Sequence, residues 1–454
     1  NMEVSESFSA CDSPVGSGKT TAVMAHLLKQ AIKRKSQHIF VVLPYTSIIQ
    51  QSVDVYRKAL LLPGERPDEV VAELHFRADF ENDDTRYLTS IWRAPIIVTT
   101  AVAFFETLAS GHPATLRRFH ELPGSVIFVD EAHNALPLKL LPLAWRWMNV
   151  LAEEWNCYWV LASGSLVRYW KLERLSEVNM PNTGVHELIA PDLHHRLMKY
   201  EKSRIAFRYR SDTVSREELV TWVHNFPGPR LVILNTVQSA AVIASDLRAR
   251  YGRERVEHLS TALTAEDRKT VIERVKQRLR NRDDTDWTLV ATSCVEAGVD
   301  FSFRTGFREM KSLLSLLQAA GRVGRNGEYP DAEIWSFALQ ENMLKQNPQV
   351  ASSIDVLKGY FQGNVKISPE LSTKAMNDEI VRDDSCLEEI KRLLECESAM
   401  EFQTIDEKFH VIDSDMVPAV VDHWQRQFRS GRVTGNCYRK RLFLCAGTRS
   451  KTGI

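Results

Sequence analysis

Short apolar runs alternate with amphipathic stretches over the first three-quarters of the chain. The runs His38–Leu43, Pro95–Thr100 and Ser125–Val129 are apolar enough for strands that are buried on both faces of a parallel sheet. Thr21–Ile32 and Ile48–Leu61 place apolar residues at helical spacing, so each predicts an amphipathic helix. Strands that alternate with helices in this way predict an α/β fold with parallel sheets.

A second alternating unit begins after the turn Phe226–Pro229. Before it, residues 166–202 lack clear periodicity and are interpreted as a connector, and Arg204–Arg210 alternates like an edge strand. The predicted helix Ala265–Arg280 is basic, which fits either a solvated charged face or a surface that contacts phosphates. Strands are predicted at Leu231–Leu234, Val256–Leu259 and Trp287–Thr292, and helices at Val237–Ala249 and Ala265–Arg280.

Composition narrows the classes of partner and compartment. Basic and acidic residues number 58 each, so the net charge is zero and nucleic-acid binding would need a local groove. No apolar run approaches the length of a membrane span, and no secretory signal is visible. The seven cysteines form no C-x-x-C pair, which indicates reduced thiols in a cytoplasm and little support for disulfides or a zinc site.

The first chemical motif is Asp12–Thr21, whose end has the Gly-x-Gly-Lys-Thr arrangement of a phosphate-binding loop. Its two glycines allow a tight turn that points several backbone N–H groups at one phosphate. Lys19 would reach the β- and γ-phosphates, and the Thr20 hydroxyl would ligate Mg²⁺. The strict pattern has glycine where this chain has Ser13, but the loop still predicts binding of ATP or GTP.

A second motif, Asp130-Glu131-Ala132-His133, follows the strand Ser125–Val129. An acid at a strand tip can hold Mg²⁺ through its water shell, and Asp130 fits this role. Glu131 is then placed to polarise an attacking water, and His133 can couple this strand to the opposite domain. Together with the phosphate loop, this motif is specific for a Mg²⁺–nucleotide site.

A third motif, Gln318–Arg325, contains two arginines three residues apart. On one helix they would face the same side, so Arg322 and Arg325 are predicted arginine fingers if that side looks across at the phosphate loop. A solvated helix end is the alternative. One lobe with the loop and one with the arginines would make a site at their interface, closed by ATP and opened by hydrolysis.

Several predicted strands end in hydroxyl or amide residues. For Thr46, Thr99 and Thr100 two interpretations are open: they cap the helices that follow, or they contact nucleic-acid phosphates, and both can hold at once. Ser163-Gly164-Ser165, after the predicted strand Cys157–Ala162, would link the nucleotide site to nucleic-acid binding. Trp145, Trp147 and Trp155 are interpreted as core and helix-face packing, with base stacking as the alternative.

The order of these motifs resembles a superfamily 2 helicase core over about residues 8–340. The resemblance implies two tandem RecA-like lobes, at residues 1–200 and 201–345, and a smaller C-terminal α+β accessory domain at 346–454. Particular segments resemble, more narrowly, the CRISPR-associated helicase of type I interference. These segments are Val98–Glu106, Asn235–Val237, Ala291–Asp300, Gln318–Arg325 and Leu371–Ala375.

The accessory domain is predicted from weaker patterns. Asn377–Cys396 predicts a helix, and Phe409–Ile412 with Met416–Val421 predicts a short β-pair. The tail Arg439–Thr448 is basic and contains an aromatic residue. We interpret this region as a cap over a DNA channel or a docking site for a partner.

The resemblance implies ATP-driven translocation along single-stranded DNA from 3′ to 5′. Glu131 would activate water, and Asp300 would meet the nucleotide or an inter-lobe contact. The γ-phosphate would be sensed by Gln318, Arg322 and Arg325. The triphosphate would be cradled by Gly16, Ser17, Gly18, Lys19, Thr20 and Thr21, with Thr20 and Asp130 at Mg²⁺. The DNA backbone would be lined by Pro44, Thr46, Thr99, Thr100, Asn235, Thr236, Ser260 and Thr292.

The same resemblance implies a prokaryotic cytoplasmic protein, recruited to target DNA by the guide-RNA surveillance complex (Cascade). The family's nuclease domain needs a His-Asp pair, and no His-Asp dipeptide occurs in this sequence. We therefore expect no nuclease activity here, and a nuclease on a separate chain or outside these residues. Ser163-Gly164-Ser165 stands where the superfamily usually has Ser-Ala-Thr, so the coupling of ATP hydrolysis to unwinding can differ.

Two other functions fit the motifs. A DEAH-type RNA helicase or a DNA-repair helicase would carry the same ATP site and differ in its preferred nucleic acid. A nucleotide-switched scaffold would bind ATP and DNA with negligible turnover. Glu131, Gln318, Arg322 and Arg325 argue against the scaffold, because a switch need not keep all four.

Overall fold

Two parallel β-sheets form the centre of the protein. The computed structural model describes residues 7–14, 16–74, 92–178, 180–181, 183–340, 350–412, 416–419 and 443–446. In chain order the strands are β1 (Phe8–Asp12), β2 (Ile39–Leu43), β3 (Val71–Leu74), β4 (Ile96–Thr100), β5 (Val126–Asp130), β6 (Tyr158–Ser163), β7 (His186–Glu187), β8 (Ala206–Tyr209), β9 (Arg230–Ile233), β10 (Val256–Leu259), β11 (Thr288–Ala291), β12 (Thr305–Glu309), β13 (Glu333–Phe337), β14 (Met416–Ala419) and β15 (Phe443–Ala446).

Helices connect most of these strands. The α-helices are α1 (Lys19–Arg34), α2 (Thr46–Leu60), α3 (Pro67–Val70), α4 (Ala101–Ala109), α5 (Pro113–Leu116), α6 (Leu141–Glu153), α7 (Pro191–Arg204), α8 (Arg216–His224), α9 (Val237–Tyr251), α10 (Ala265–Arg280), α11 (Leu313–Ala320), α12 (Ala351–Gln362), α13 (Ser372–Val381), α14 (Asp384–Ser398) and α15 (Phe402–Lys408). Short 3₁₀ turns lie at Arg117–Glu121, Ala132–Asn134, Leu138–Leu140, Tyr169–Lys171, Glu173–Val178, Arg253–Arg255, Ser293–Val295, Arg325–Gly327 and Pro369–Leu371.

Each large sheet is the centre of one lobe. Lobe 1 has the strand order β3-β4-β2-β5-β6-β1-β7, and lobe 2 has the order β10-β11-β9-β12-β13-β8. All neighbouring strands within both sheets run parallel, so the α/β fold class predicted from the alternation is confirmed. The predicted domain limits at residues 200 and 345 stay a prediction, and α7 runs across residue 200.

Apolar side chains cover both faces of each sheet. Strands β2, β4 and β6 are buried along their whole length, as their continuous apolar runs predict. Trp145 is fully buried against Phe8, and Trp147 packs on Phe409, so the packing interpretation of these tryptophans is confirmed. Trp155 likewise packs against the core of lobe 1.

The C-terminal helices pack on both lobes. Val356, Leu357 and Tyr360 of α12 belong to the apolar core of lobe 2. Residues of α14 and α15 belong instead to the core of lobe 1, where Glu397 also accepts hydrogen bonds from Arg146 at 3.1 Å and from the Trp147 indole at 2.9 Å. This region is therefore continuous with the two cores.

Two predictions for the C-terminal region differ from the structure. The predicted helix Asn377–Cys396 is divided between α13 and α14, and Asp383 accepts a hydrogen bond from the Cys386 amide as the N-cap of α14. Strand β14 pairs antiparallel with β15, so the predicted pairing with Phe409–Ile412 is wrong. Phe409 is buried against lobe 1. Apart from β15, the basic tail lies outside the described residues.

The predicted connector, residues 166–202, contains regular structure. Strand β7 pairs with β1, and α7 begins at Pro191, a residue suited to the first turn of a helix. The edge strand predicted at Arg204–Arg210 is confirmed as β8, at the end of the second sheet. Within the described part of the chain, no helix combines the length and apolar character that crossing a bilayer requires.

We predict that Ile380→Ala lowers the free energy of unfolding by about 2–5 kcal/mol, because it leaves a cavity in a fully buried site. Val381 is the next residue and is 48% exposed, so Val381→Ala is the matched control, with a change within about 0.5 kcal/mol. Urea denaturation monitored by fluorescence measures both. Equal effects of the two substitutions would contradict the packing of α13 on lobe 1.

Candidate active site

A cavity of about 430 Å³ opens between the two lobes, at the edge where the strands of both sheets end. Its size lies in the range of pockets that hold small molecules. The phosphate loop, the acidic pair and the arginines predicted from the sequence all line it. The predicted site residues on its wall are Gly16, Gly18, Lys19, Thr20, Thr21, Asp130, Glu131, Asp300, Arg322 and Arg325.

The phosphate loop turns on its two glycines. Gly16 and Gly18 have φ of +85° and +80°, values that favour glycine because a side chain would be strained there. Ser17 donates a hydrogen bond to the Pro14 carbonyl at 2.7 Å, which closes the loop. Gly18 is the N-cap of α1 and provides no side-chain cap, so the first-turn amides remain available to an anion.

Opposite charges meet at the base of the cavity. The Lys19 ammonium lies 2.8 Å from Asp130 Oδ1 and 3.7 Å from Glu131 Oε1. Burial lowers the pKa of Lys19, but the two carboxylates outweigh burial and hold that pKa above its ordinary value. Burial likewise raises the pKa of Glu131, but nearby cations, Lys19 foremost, hold it at about 2. Glu131 is therefore an ionised carboxylate.

A chain of hydrogen bonds joins the lobes through His133. The Gln318 amide nitrogen lies 2.7 Å from His133 Nε2, and His133 Nδ1 lies 2.6 Å from the Ser163 hydroxyl. That hydroxyl donates to Glu131 Oε2 at 3.1 Å. Because an amide nitrogen only donates, Nε2 accepts and the neutral ring carries its proton on Nδ1. The predicted coupling of His133 to the opposite lobe is thus present as a direct contact.

The two arginines do not share a helix, and that part of the prediction is wrong. Helix α11 ends at Ala320, and the chain turns through Gly324 at φ of +53° before the 3₁₀ turn that starts at Arg325. Arg322 nevertheless lines the same cavity as Arg325, because this turn folds back toward the phosphate loop.

The arginines are held differently. Arg322 donates to the carbonyl oxygens of Val295 at 3.1 Å and Glu296 at 2.8 Å, and burial lowers its pKa to about 10. It therefore stays charged at neutral pH. Arg325 pairs at 3.0 Å with Asp300, whose side chain is 69% exposed. Asp300 thus makes its ion pair within lobe 2, and its exposed carboxylate can leave Arg325 at little cost.

Several of the hydroxyls predicted to line DNA make hydrogen bonds within the protein. Thr100 and Thr236 cap α4 and α9, each accepting from a first-turn amide at 3.0 Å, so the capping interpretation is confirmed for Thr100. It is wrong for Thr99, whose hydroxyl donates to the Leu74 carbonyl at 2.9 Å. Pro44, Ser260 and Thr292 are buried, and Thr46 begins α2. Their contact with nucleic acid stays a prediction.

The side chain of Asn235, which was also predicted to line DNA, makes hydrogen bonds within the protein. Its side chain donates to the Met310 carbonyl at 2.8 Å and accepts from Arg308 at 2.7 Å. Arg308 is itself buried and lies 2.8 Å from a carboxylate oxygen of Glu296. This ion pair holds the segment whose carbonyl oxygens bind Arg322. No strand was predicted from the sequence at β12 (Thr305–Glu309), so this ion pair was not predicted either.

The cavity wall offers oxygen donors for Mg²⁺ in the Thr20 hydroxyl and the Asp130 carboxylate. Mg²⁺ characteristically takes one or two protein ligands and completes its shell with phosphates and water, so this small donor set fits. Among the described residues, no cluster of three or more His, Cys, Asp or Glu side chains could hold a metal ion by itself. The cysteines described with side chains are free thiols.

A second charged cluster lies beneath the phosphate loop. Asp12, at the end of β1, accepts from Arg168 at 3.1 Å and from His194 at 3.2 Å, and Arg168 also donates to Glu187 at 2.8 Å. Sequence alone gave no signal, because these residues come from four separate segments.

Comparison with known proteins identifies the relatives of both lobes. Residues 5–143 match the DEAD/DEAH box helicase family, and residues 228–328 match the family described as CRISPR-associated nuclease/helicase Cas3, C-terminal. A CRISPR-associated nuclease/helicase Cas3 of Haloferax volcanii is 22% identical over 433 residues, covering 72% of this chain and 46% of the relative. A CRISPR-associated helicase Cas3 of Thermoproteus tenax is 32% identical over 108 residues, covering 24% of this chain and 18% of the relative.

Solved structures agree on the fold. The crystal structure of T. fusca Cas3-ATP superposes with a TM-score of 0.63 at 18% identity, covering 89% of this chain and 53% of that one. The crystal structure of the DUF1998 helicase MrfA bound to DNA superposes with a TM-score of 0.52 at 13% identity, covering 78% of this chain and 49% of that one. The likeness supports the assignment of two RecA-like lobes with a C-terminal region. The chain spans about half the length, or less, of the relatives it matches.

We predict that His133 stays neutral at pH 7, because its burial lowers its pKa to about 4. The unfolded chain binds the proton near pH 6.5 and the folded chain only near pH 4, so stability falls as pH falls through this window. Ring ¹⁵N shifts of histidine-labelled protein, assigned with His133→Gln, should show a neutral Nδ1–H tautomer down to pH 5. A titration midpoint of His133 near pH 6.5 would contradict the chain of hydrogen bonds that joins the lobes through this residue.

Proposed function

The chain is a CRISPR-associated helicase of superfamily 2, and from this premise we propose that it is an ATP-dependent translocase that moves 3′ to 5′ along single-stranded DNA. It unwinds target DNA in antiviral defence after recruitment by the guide-RNA surveillance complex, and a nuclease outside these residues cuts the strand. One observation carries the proposal. A single cavity brings the phosphate loop and acidic pair of lobe 1 against Arg322 and Arg325 of lobe 2.

ATP binding rests on the loop and on Lys19. In the proposed complex, the triphosphate lies on the first-turn amides of α1, and Lys19 turns from Asp130 toward the β- and γ-phosphates. Bound between Thr20 and Asp130, Mg²⁺ would supply positive charge that stabilises the phosphate oxygens during transfer. The negative charge of the phosphates then replaces the carboxylates as the partner of Lys19.

Hydrolysis rests on Glu131. Its carboxylate accepts a hydrogen bond from a water molecule and orients that water in line with the γ-phosphorus. The water oxygen bonds to phosphorus as the bond to the bridging β–γ oxygen breaks, which yields ADP and inorganic phosphate. Ser163 donates to the other side of Glu131, so the carboxylate is held in one orientation.

The arginines make hydrolysis depend on lobe closure. Arg322 is fixed by backbone carbonyls, whereas Arg325 has to leave only an exposed carboxylate to reach a γ-phosphate. Closing of the cleft brings both guanidinium groups to the negative charge that develops on the γ-phosphate in the transition state. Release of phosphate then removes the interaction with the arginines that holds the cleft closed. This cycle converts ATP turnover into relative motion of the lobes.

DNA would cross both lobes along the starts of the helices that follow the strands. The cap hydroxyls of Thr100 and Thr236 are engaged, so the remaining first-turn amides of α4 and α9 would carry the contacts to phosphate. Contacts of this kind are independent of base sequence, as a translocase requires. Since the net charge is zero, binding depends on these local groups.

We predict that single-stranded DNA stimulates ATP hydrolysis and that equal amounts of single-stranded RNA do not. Lys19→Ala removes the charge that holds the β- and γ-phosphates, and Glu131→Gln leaves an amide that cannot orient water as a carboxylate does. Both variants should lose at least about 10²-fold in kcat. A phosphate-release assay measures the rates. Stimulation by RNA alone would assign an RNA helicase, and turnover unchanged in Glu131→Gln would exclude the mechanism.

We further predict that Arg325→Ala lowers kcat by about 10³-fold or more while KM for ATP changes little, because a finger acts on the transition state. Arg253 is an exposed arginine that precedes β10, so it lies at the opposite edge of the lobe 2 sheet. Arg253→Ala is therefore the matched control, with kcat unchanged. Steady-state kinetics at saturating DNA decides, and equal effects of the two substitutions would exclude the finger.

A further inference from the structure

Helix α13 is wedged between the lobes. Ala375 is buried in the apolar core of lobe 2, whereas Met376 and Ile380 of the same helix pack in the core of lobe 1. The helix thus presents different faces to the two lobes. Its first turn, Ser372–Ala375, belongs to the segment Leu371–Ala375 that the sequence analysis singled out and that the proposed mechanism leaves without a role.

The first turn of α13 also bonds to the catalytic lobe through a side chain. The Thr373 hydroxyl accepts a hydrogen bond of 3.0 Å from the backbone N–H of Arg168. Arg168 lies in the loop that begins with Ser163 at the end of β6. In that loop, the Ser165 amide donates to the Ser163 hydroxyl at 3.0 Å, and the same hydroxyl donates to Glu131.

The Arg168 side chain extends the connection to the phosphate loop. It donates to Asp12 at 3.1 Å, and the Asp12 side chain is only 3% exposed. Asp12 is the last residue of β1, and the amide of Ser13 donates to the Ser163 carbonyl at 3.1 Å. One residue, Arg168, therefore touches α13 through its backbone and the base of the phosphate loop through its guanidinium group.

We propose that Thr373 is a positioning residue for ATP hydrolysis: it holds the loop after β6 so that Ser163 keeps Glu131 oriented and Arg168 braces Asp12. Because α13 packs on both lobes, a change of lobe orientation reaches this loop through Thr373 as well as through Gln318. The C-terminal region thereby acts on the chemical step. The inference rests on the proposed function of the cavity as an ATP hydrolase.

Three variants separate positioning from packing. Thr373→Val keeps the shape of the side chain and removes the acceptor, whereas Thr373→Ser keeps the acceptor. Ser353→Ala removes a different hydrogen bond of α13, the one of 2.7 Å from Ser353 to Glu379, which lies on the side of α12. It controls for a general loosening of the helix. Thermal unfolding midpoints establish that all three variants are folded.

The kinetic readout is kcat and KM for ATP at saturating single-stranded DNA. Thr373→Val should lower kcat by about fivefold or more, the rate equivalent of one lost hydrogen bond, with KM nearly unchanged. Thr373→Ser should restore kcat to near the wild-type value, and Ser353→Ala should leave it unchanged. A wild-type kcat in Thr373→Val, or an equal loss in Ser353→Ala, overturns the positioning role.

A second readout does not depend on activity. Hydrogen–deuterium exchange of peptides that contain Arg168 should be at least about fivefold faster in Thr373→Val than in wild type or Ser353→Ala. Unchanged exchange overturns the proposal even if kcat falls. If the wild type lacks turnover that depends on Lys19, the proposed function fails instead, and exchange still decides whether Thr373 holds the loop.

Discussion

The parallel direction of all strands within each sheet is the constraint on which the site depends. A parallel strand delivers its chain to the same edge as its neighbours, so β1, β5 and β6 bring the phosphate loop, Asp130 and Ser163 together. The parallel strands of the second sheet likewise bring the loops of lobe 2 to one edge. Two such edges face one another, and the cavity between them needs no long loop to collect its groups.

Charge balance explains why this cavity is stable while it holds several buried ionisable groups. Lys19 faces two carboxylates, Arg322 is satisfied by backbone carbonyls, and Arg325 pairs with Asp300. Each charge therefore has a partner, and a nucleotide phosphate could replace the carboxylates that pair with Lys19 and Arg325. The neutral His133 adds a connection between lobes without adding a charge, which suits a contact that is made and broken in every proposed cycle.

Local sequence patterns predicted most of the sheet strands and the main motifs of the cavity, because buried parallel strands and glycine loops carry strong local signals. These patterns did not predict features that depend on contacts between residues far apart in the sequence. The predicted helix through Arg325 ends at Ala320, since the chain turns at glycines to reach the cavity. The hydrogen bond from Arg168 to Thr373 joins residues that are 205 positions apart. No local pattern reports such a contact.

The most direct test of the account is a structure with a non-hydrolysable ATP analogue, Mg²⁺ and a DNA single strand. We expect Lys19 and Arg325 both to lie within hydrogen-bond distance of the γ-phosphate, with Gln318 still bonded to His133 and the DNA across both lobes. A nucleotide bound to lobe 1 alone, with Arg325 still paired with Asp300 and Lys19 with Asp130, would contradict this expectation. In that case the cavity would not be a shared catalytic site, and the proposed motor cycle would have no closing step.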